Sequence, residues 1–171
     1  EKINMLNYYI GEFNSVEINA TFYRLPFENM IKGWNNKATD GFQYAVKAPR
    51  QVTHYNKLDA DDEYLSDFFN RIKALGDHLG PVLWQLPPSL EKNVDLLKVF
   101  FEKIDTTEMK HALEFRDDSW LDDDVFSELE SRGVASVSVS SDSMPVDFTD
   151  TADFVYYRFH GLSDNHRYNY S

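Results

Sequence analysis

The sequence contains no cysteine, so disulfides, thiolate nucleophiles and cysteine-ligated metals are excluded. It also lacks any run near the ~20 apolar residues of a membrane-spanning helix, and no cationic and then apolar leader is legible. A soluble, cytoplasmic protein with no membrane partner is the expectation. Positive charge is scarce: Lys+Arg number 17 against 29 Asp+Glu, a formal net charge of -12. That balance argues against the broad basic surface that tracks extended nucleic acid, yet leaves room for a local basic pocket. Low-complexity segments and interdomain linkers are lacking too, so a single domain over residues 1–171 is expected.

What the chain does have is 42% hydrophobic and 15% aromatic residues, enough for a sizeable core. From Ser15 onward, apolar Val16 and Ile18 alternate with Glu17 and Asn19, the two-residue period of a strand. The same period predicts strands over 42–49, 111–116, 135–141 and 154–160, and the dense apolar run 82–86, with Gln85 its single polar residue, predicts a strand buried on both sides. Between them, apolar residues recur at helical spacing over 1–13, 28–37, 64–79 and 94–104, and another helix is expected from a Ser119 cap to Gly133. Gly80-Pro81 is expected to close the 64–79 helix, with 20–27 and 49–57 as loops.

Strand, loop and helix recur at roughly the 30-residue spacing of a βαβ series, and right-handed crossovers put such helices outside a parallel sheet. The sheet is then either open or closed as a barrel. Phase favours closure, because the ionisable residues near the strand ends share the alternation that would line a barrel interior and its carboxyl-terminal mouth. Six strands are legible where a barrel has eight. The expectation is an α/β fold of the TIM (β/α)8 type, with its first and last strands outside this stretch.

Five blocks carry a family resemblance: Val16-Glu-Ile-Asn-Ala-Thr-Phe-Tyr-Arg24, Ala45-Val-Lys-Ala-Pro-Arg50 with Thr53-His54, Gly80-Pro-Val-Leu-Trp-Gln-Leu-Pro-Pro88, Leu113-Glu-Phe-Arg116 with Ser119-Trp120, and Tyr157-Arg-Phe-His-Gly161. In order and spacing the chain resembles the YecE-like family, the domain of unknown function seventy-two. The resemblance implies a TIM-barrel-type fold and no established biochemical role. It also implies two bracketing blocks, a Gly-Thr-Ser-Gly-Trp-like strand before Glu1 and an Asn-Asn-Asp-like strand after Ser171.

Gathered at such a mouth, Glu17, Glu114 and His160 are the candidate catalytic groups. Asn19, Tyr23, Lys47, Arg50, His54, Gln85, Arg116, Trp120, Asp142 and Arg158 are the candidate ligand-binding groups. The bland alternative is a satisfied internal ion-pair network, but apolar packing would fill an interior at less desolvation cost. One functional reading is an enzyme on a phosphorylated or otherwise anionic small molecule or nucleotide. Lys47, Arg50, Arg116 and Arg158 would bind the anion, Glu17 or Glu114 would act as base with His160 as the acid or its partner, and Tyr23 or Trp120 would stack on a ring. A second is a divalent-metal hydrolase or nuclease-like barrel using Glu17, Glu114, Asp142, His54 and His160. It is opposed by the adjacent cations and by the lack of a His-x-His or His-Glu-x-x-His pair. A glycosidase needs its two carboxylates closer than strands as separate as those of Glu17 and Glu114 would bring them. A non-catalytic module that binds a metabolite or a nucleic-acid end is the remaining class. No cofactor is named by the sequence, nor an oligomeric state. Glu114→Gln and Arg158→Ala are expected to abolish activity with little loss of fold.

Overall fold

A computed structural model describes residues 5–162 and Tyr170. Its six strands are β1 (Ser15–Ile18), β2 (Gln43–Lys47), β3 (Leu79–Gln85), β4 (His111–Glu114), β5 (Ala135–Ser141) and β6 (Tyr156–Gly161). They pair in chain order, every neighbour parallel. The helices are α1 (Met5–Glu12), α2 (Ala20–Tyr23), α3 (Glu28–Asn35), α4 (Asp62–Lys73), α5 (Val94–Lys103) and α6 (Asp123–Arg132). The first four residues of the helix expected over 1–13 lie outside the described residues.

Alternation sorts the strand side chains onto two faces. Ile18, Tyr44, Val46, Val82, Trp84 and Leu113 join the apolar stripes of α3 to α6, among them Ile31, Phe68, Phe100 and Leu129, in one buried cluster. On the other face Leu83, Ala112, Ala135, Val137 and Val139 form a smaller cluster with Phe154 and Tyr156. The sheet curls around this inner cluster until side chains of β6 touch those of β1. Tyr156 Oη and Arg158 Nη2 donate to Glu17 Oε2 and Oε1, each at 2.8 Å. No ladder joins β1 to β6 among the described residues, so the described sheet is a curled half-barrel.

Four local expectations need correction. The 64–79 helix ends at Lys73; Gly76, at φ +55°, takes a left-handed conformation costly for other residues and breaks the repeat, so Leu79 already begins β3. Gly80 is therefore a strand residue rather than a helix stop. A Cβ there would lie 3.1 Å from the Tyr44 carbonyl oxygen, so glycine lets β2 and β3 approach. The helix before Gly133 is capped by Asp122, whose carboxylate accepts from the Asp124 N–H. Ser119 lies one turn earlier, and its hydroxyl accepts from the Lys92 N–H at 2.9 Å. Finally, the expected loops contain helical turns: α2 after β1, and a π-helical turn at Gln51–Tyr55 after β2. Residues 20–23 and 51–55 are too short to show a helical apolar period, so their pattern carried no signal.

Candidate anion site at the carboxyl ends of the strands

Glu114, at the end of β4, is fully buried, and four side chains converge on it. Gln85 Nε2, its ladder neighbour on β3, donates to Oε1 at 2.9 Å. Arg116, two residues on and in the same phase, donates through Nε to the same oxygen, while Arg158 Nη1 from β6 donates to Oε2. His160 Nε2 stands 3.4 Å from Oε1. Arg158 thus ties Glu114 on β4 to Glu17 on β1, a strut across the curl. Burial by itself would raise the Glu114 pKa, but its partners, Arg158, Arg116 and Gln85 among them, outweigh it and hold the carboxyl at about 2.

The histidine tautomer follows from its neighbours. Arg116 Nη2 lies 2.9 Å and Arg158 Nη1 3.2 Å from His160 Nε2. A guanidinium has no acceptor, so Nε2 must carry a lone pair and the proton sits on Nδ1. His160 Nε2 is therefore placed as an acceptor for the two arginines.

Lys47, at the end of β2, differs from the other cations. Only 8% exposed, its ammonium lies over the Phe22 ring, 4.3 Å from the centroid, and forms no hydrogen bond or ion pair among the described residues. Its pKa is lowered, first by burial and then by Arg158. His54 packs edge-on against the same Phe22 ring at 5.0 Å, with Nδ1 2.9 Å from the Thr53 hydroxyl. Burial, Lys47 and Arg116 lower its pKa as well. Lys47, Arg116 and Arg158 face Glu17 and Glu114, so three cations meet two carboxylates and one positive charge is left over inside a body of net charge -12. A preorganised excess of cation in a partly dry interior attracts an anion.

The structure brings Glu17, Lys47, Gln85, Glu114, Arg116, Arg158 and His160 together, with His54 beside them. Five other candidates are placed elsewhere. Trp120 is fully buried on the helix side, stacked on Phe115 at 5.2 Å and donating to the Leu90 carbonyl, so it cannot stack on a ligand. Asp142 is exposed and has the parity of Ser138 and Ser140, opposite to the inward Val137 and Val139. The phase rule that holds on the other strands is reversed on β5, where the apolar residues fill the interior. Asn19 is exposed at the start of α2 and joins no hydrogen bond of the cluster. Tyr23 is on the rim, 66% exposed, with the half-buried Arg50 guanidinium 5.5 Å from its ring and 5.3 Å from that of Tyr55. Arg50 therefore belongs to an outer aromatic rim rather than to the buried set.

Two members of the site were not among the candidates. Tyr156 shares the alternation phase of Arg158 and His160, which could have identified it. Phe22 had no such signal, because its position depends on the short α2 turn. A cavity of about 730 Å³ opens at the other end of the strands, between β1 and β6. It meets the buried network through Glu17 and Tyr156 but is not lined by Lys47, Arg116 or Arg158. Among the described residues no group of three His, Asp or Glu side chains is placed to hold a metal, and no helix is long and apolar enough to cross a membrane.

The pKa values give a stability prediction. Glu114 titrates at about 2 rather than 4.5, so its contribution is complete above pH 4.5 and is lost as pH falls toward 2. His111 is buried, with Nδ1 accepting from Trp84 Nε1 and Nε2 donating to the Asp105 carbonyl, and burial lowers its pKa to about 4. Below pH 6.5 the unfolded chain takes up a proton that the folded His111 refuses, so stability declines between pH 6.5 and 4. A gap of that size corresponds to ~3 kcal/mol. Urea midpoints measured from pH 7 to 4 should fall in this window, and the fall should be much shallower in His111→Gln. An unchanged slope in that variant would assign the acid sensitivity to other groups.

These features define a class: curled parallel α/β proteins with an ionisable cluster at the carboxyl ends of the strands. The family model described as "Protein of unknown function DUF72" matches residues 1–171, and the chain belongs to that family. It is 33% identical over 85 residues to the UPF0759 protein YecE of Escherichia coli strain K12, covering 50% of this chain and 31% of the relative. To the UPF0759 protein YunF of Bacillus subtilis strain 168 it is 26% identical over 122 residues, covering 67% and 43%. The matched stretch is thus less than half of either curated relative. Among solved structures, a DUF72 family protein of Thermotoga maritima MSB8 superposes with a TM-score of 0.81 at 29% identity, covering 93% of this chain and 65% of that one. One of Enterococcus faecalis V583 superposes with a TM-score of 0.81 at 17% identity, covering 93% and 70%, a likeness of fold alone.

Proposed function

We propose that the interior cluster is the anion-binding site of an enzyme acting on a phosphorylated or carboxylated small molecule or a nucleotide. The observation that carries this reading is Lys47, a residue only 8% exposed whose ammonium has no carboxylate partner, beside two arginines whose charge is already engaged. A purely structural network would be expected to balance its buried charges, since an unpaired one is costly. A ligand's phosphate or carboxylate would supply the missing negative charge. Arg116 has Nη1 without a partner among the described residues, a second donor for the same anion. The paired state of both glutamates gives the metal-dependent reading less support. We infer further that the half-barrel is part of a closed (β/α)8 barrel in the whole protein. The contact of β6 with β1 through side chains supports that closure.

The test is inorganic phosphate titrated by calorimetry into the protein and into Lys47→Met. Phosphate should bind the unaltered chain, with affinity falling steeply as salt rises. Lys47→Met should bind at least tenfold more weakly, a loss of about 1.4 kcal/mol. It should also unfold at an equal or higher temperature, because methionine removes an uncompensated buried charge at similar length. Equal phosphate affinity in both proteins, or a large drop in stability of the variant, would reject this assignment of Lys47.

A further inference from the structure

Anion binding accounts for the charge of Lys47 but not for its setting. Phosphate-binding lysines work as hydrated point charges, whereas this ammonium is turned onto the face of Phe22 and only 8% exposed. Its backbone is held firmly: β2 is paired on both sides, Lys47 is in register with Leu83, and the Lys47 carbonyl accepts from the Thr21 hydroxyl at 2.6 Å. The Phe22 ring fixes the position of the side chain, while burial beside two guanidinium groups meets the conditions under which the free amine, rather than the ammonium, becomes available as a nucleophile. The direction of its pKa, lowered by burial and by Arg158, agrees with that geometry.

Resting on the anion-site reading, we propose that Lys47 forms an imine with a small aldehyde or ketone that carries a phosphate or carboxylate. The anionic end would engage Arg116 Nη1, which has no partner among the described residues, leaving the carbonyl carbon to Lys47. In the first step the nitrogen lone pair bonds to the carbonyl carbon, and the C=O π pair moves to oxygen, which takes up a proton. That oxygen then leaves as water with a second proton, the C–O bond breaking as C=N forms. Overall one ammonium and one carbonyl compound become one protonated imine and one water, with no oxidant or reductant. His54, against the same Phe22 ring and within the field of Lys47, is the base placed to carry a proton between nitrogen and oxygen.

Borohydride reduction converts such an imine into a stable secondary amine and so records it. The protein is incubated at pH 7 with dihydroxyacetone phosphate, with pyruvate, or with uncharged dihydroxyacetone, then reduced, digested and mapped by mass spectrometry. Labelling by the two anionic compounds is expected at Lys47, at least tenfold above exposed lysines such as Lys32 and Lys110. It should be suppressed by inorganic phosphate, much weaker with dihydroxyacetone, and lost in Lys47→Met. Mapping the unaltered protein localises the adduct even if that variant folds poorly. Labelling of Lys47 no greater than that of exposed lysines, in a protein that still binds phosphate, would overturn the imine while leaving the anion site. No phosphate binding and no selective label would overturn both.

Discussion

Glu114→Ala is expected to destabilise the protein by ~3–5 kcal/mol in urea unfolding at pH 7, the cost typical of removing one partner of a buried ion pair. The fully buried Glu114 carboxylate accepts from Gln85, Arg116 and Arg158. Without it, two guanidinium groups sit in a partly dry interior with only Glu17 as counter-charge. The sequence alone led to an expectation of little loss of fold for Glu114→Gln and Arg158→Ala; the strut that joins Glu17 to Glu114 through Arg158 predicts instead a measurable loss in both. Glu114→Gln keeps the volume and one acceptor oxygen, so a smaller loss is expected. A double-mutant cycle with Arg158→Met isolates the pair, and a coupling energy of at least ~1 kcal/mol is expected for groups in one network. A loss below ~1 kcal/mol for Glu114→Ala would show that water screens the cluster as it does a surface pair.

The second large effect is at Trp84, on the opposite face of the neighbouring strand. Trp84 is fully buried, makes edge contacts with Phe68, Phe69 and Phe100, and stacks on His111 with its indole N–H donating to Nδ1 at 3.0 Å. Trp84→Ala should cost ~3–5 kcal/mol, the range for emptying an aromatic site in a packed core. It also leaves His111 without the donor that occupies Nδ1, so the acid limb between pH 6.5 and 4 should change shape along with the midpoint. Trp84→Phe retains much of the packing and removes only the N–H, for which ~1–2 kcal/mol is expected. If Phe cost as much as Ala, the hydrogen bond rather than the packing would dominate, and the aromatic cluster would not be the organising element of the outer core.

The same strand shows how far local pattern carries. In β3 the dense run Val82 to Leu86 reads as a strand buried on both sides, and the structure packs Val82 and Trp84 against the helices and Leu83 in the interior, with Gln85 on Glu114. In β5 the rule failed. Valines and serines alternate there as elsewhere, but the inward positions are apolar, so Asp142 took the outward parity. Alternation states that two faces differ; which of them faces inward depends on what the rest of the sheet presents. Trp120 lies in the turn after β4, where no alternation assigns a face, and the stacked Phe115 with the Leu90 carbonyl makes it a core residue.

By itself the sequence determined the order and type of the main elements, the parallel sheet, and that Glu17, Lys47, Glu114, Arg116, Arg158 and His160 share an inward phase. Those follow from period and chain order, which are local quantities. Only the tertiary structure decided that Arg158 joins Glu17 to Glu114 across the curl, that His160 is an acceptor between two arginines, and that Lys47 is the cation left without a counter-charge. Partner choice among buried charges depends on distances between residues as far apart in sequence as 17 and 158, and no pattern along the chain encodes a distance across a curled sheet.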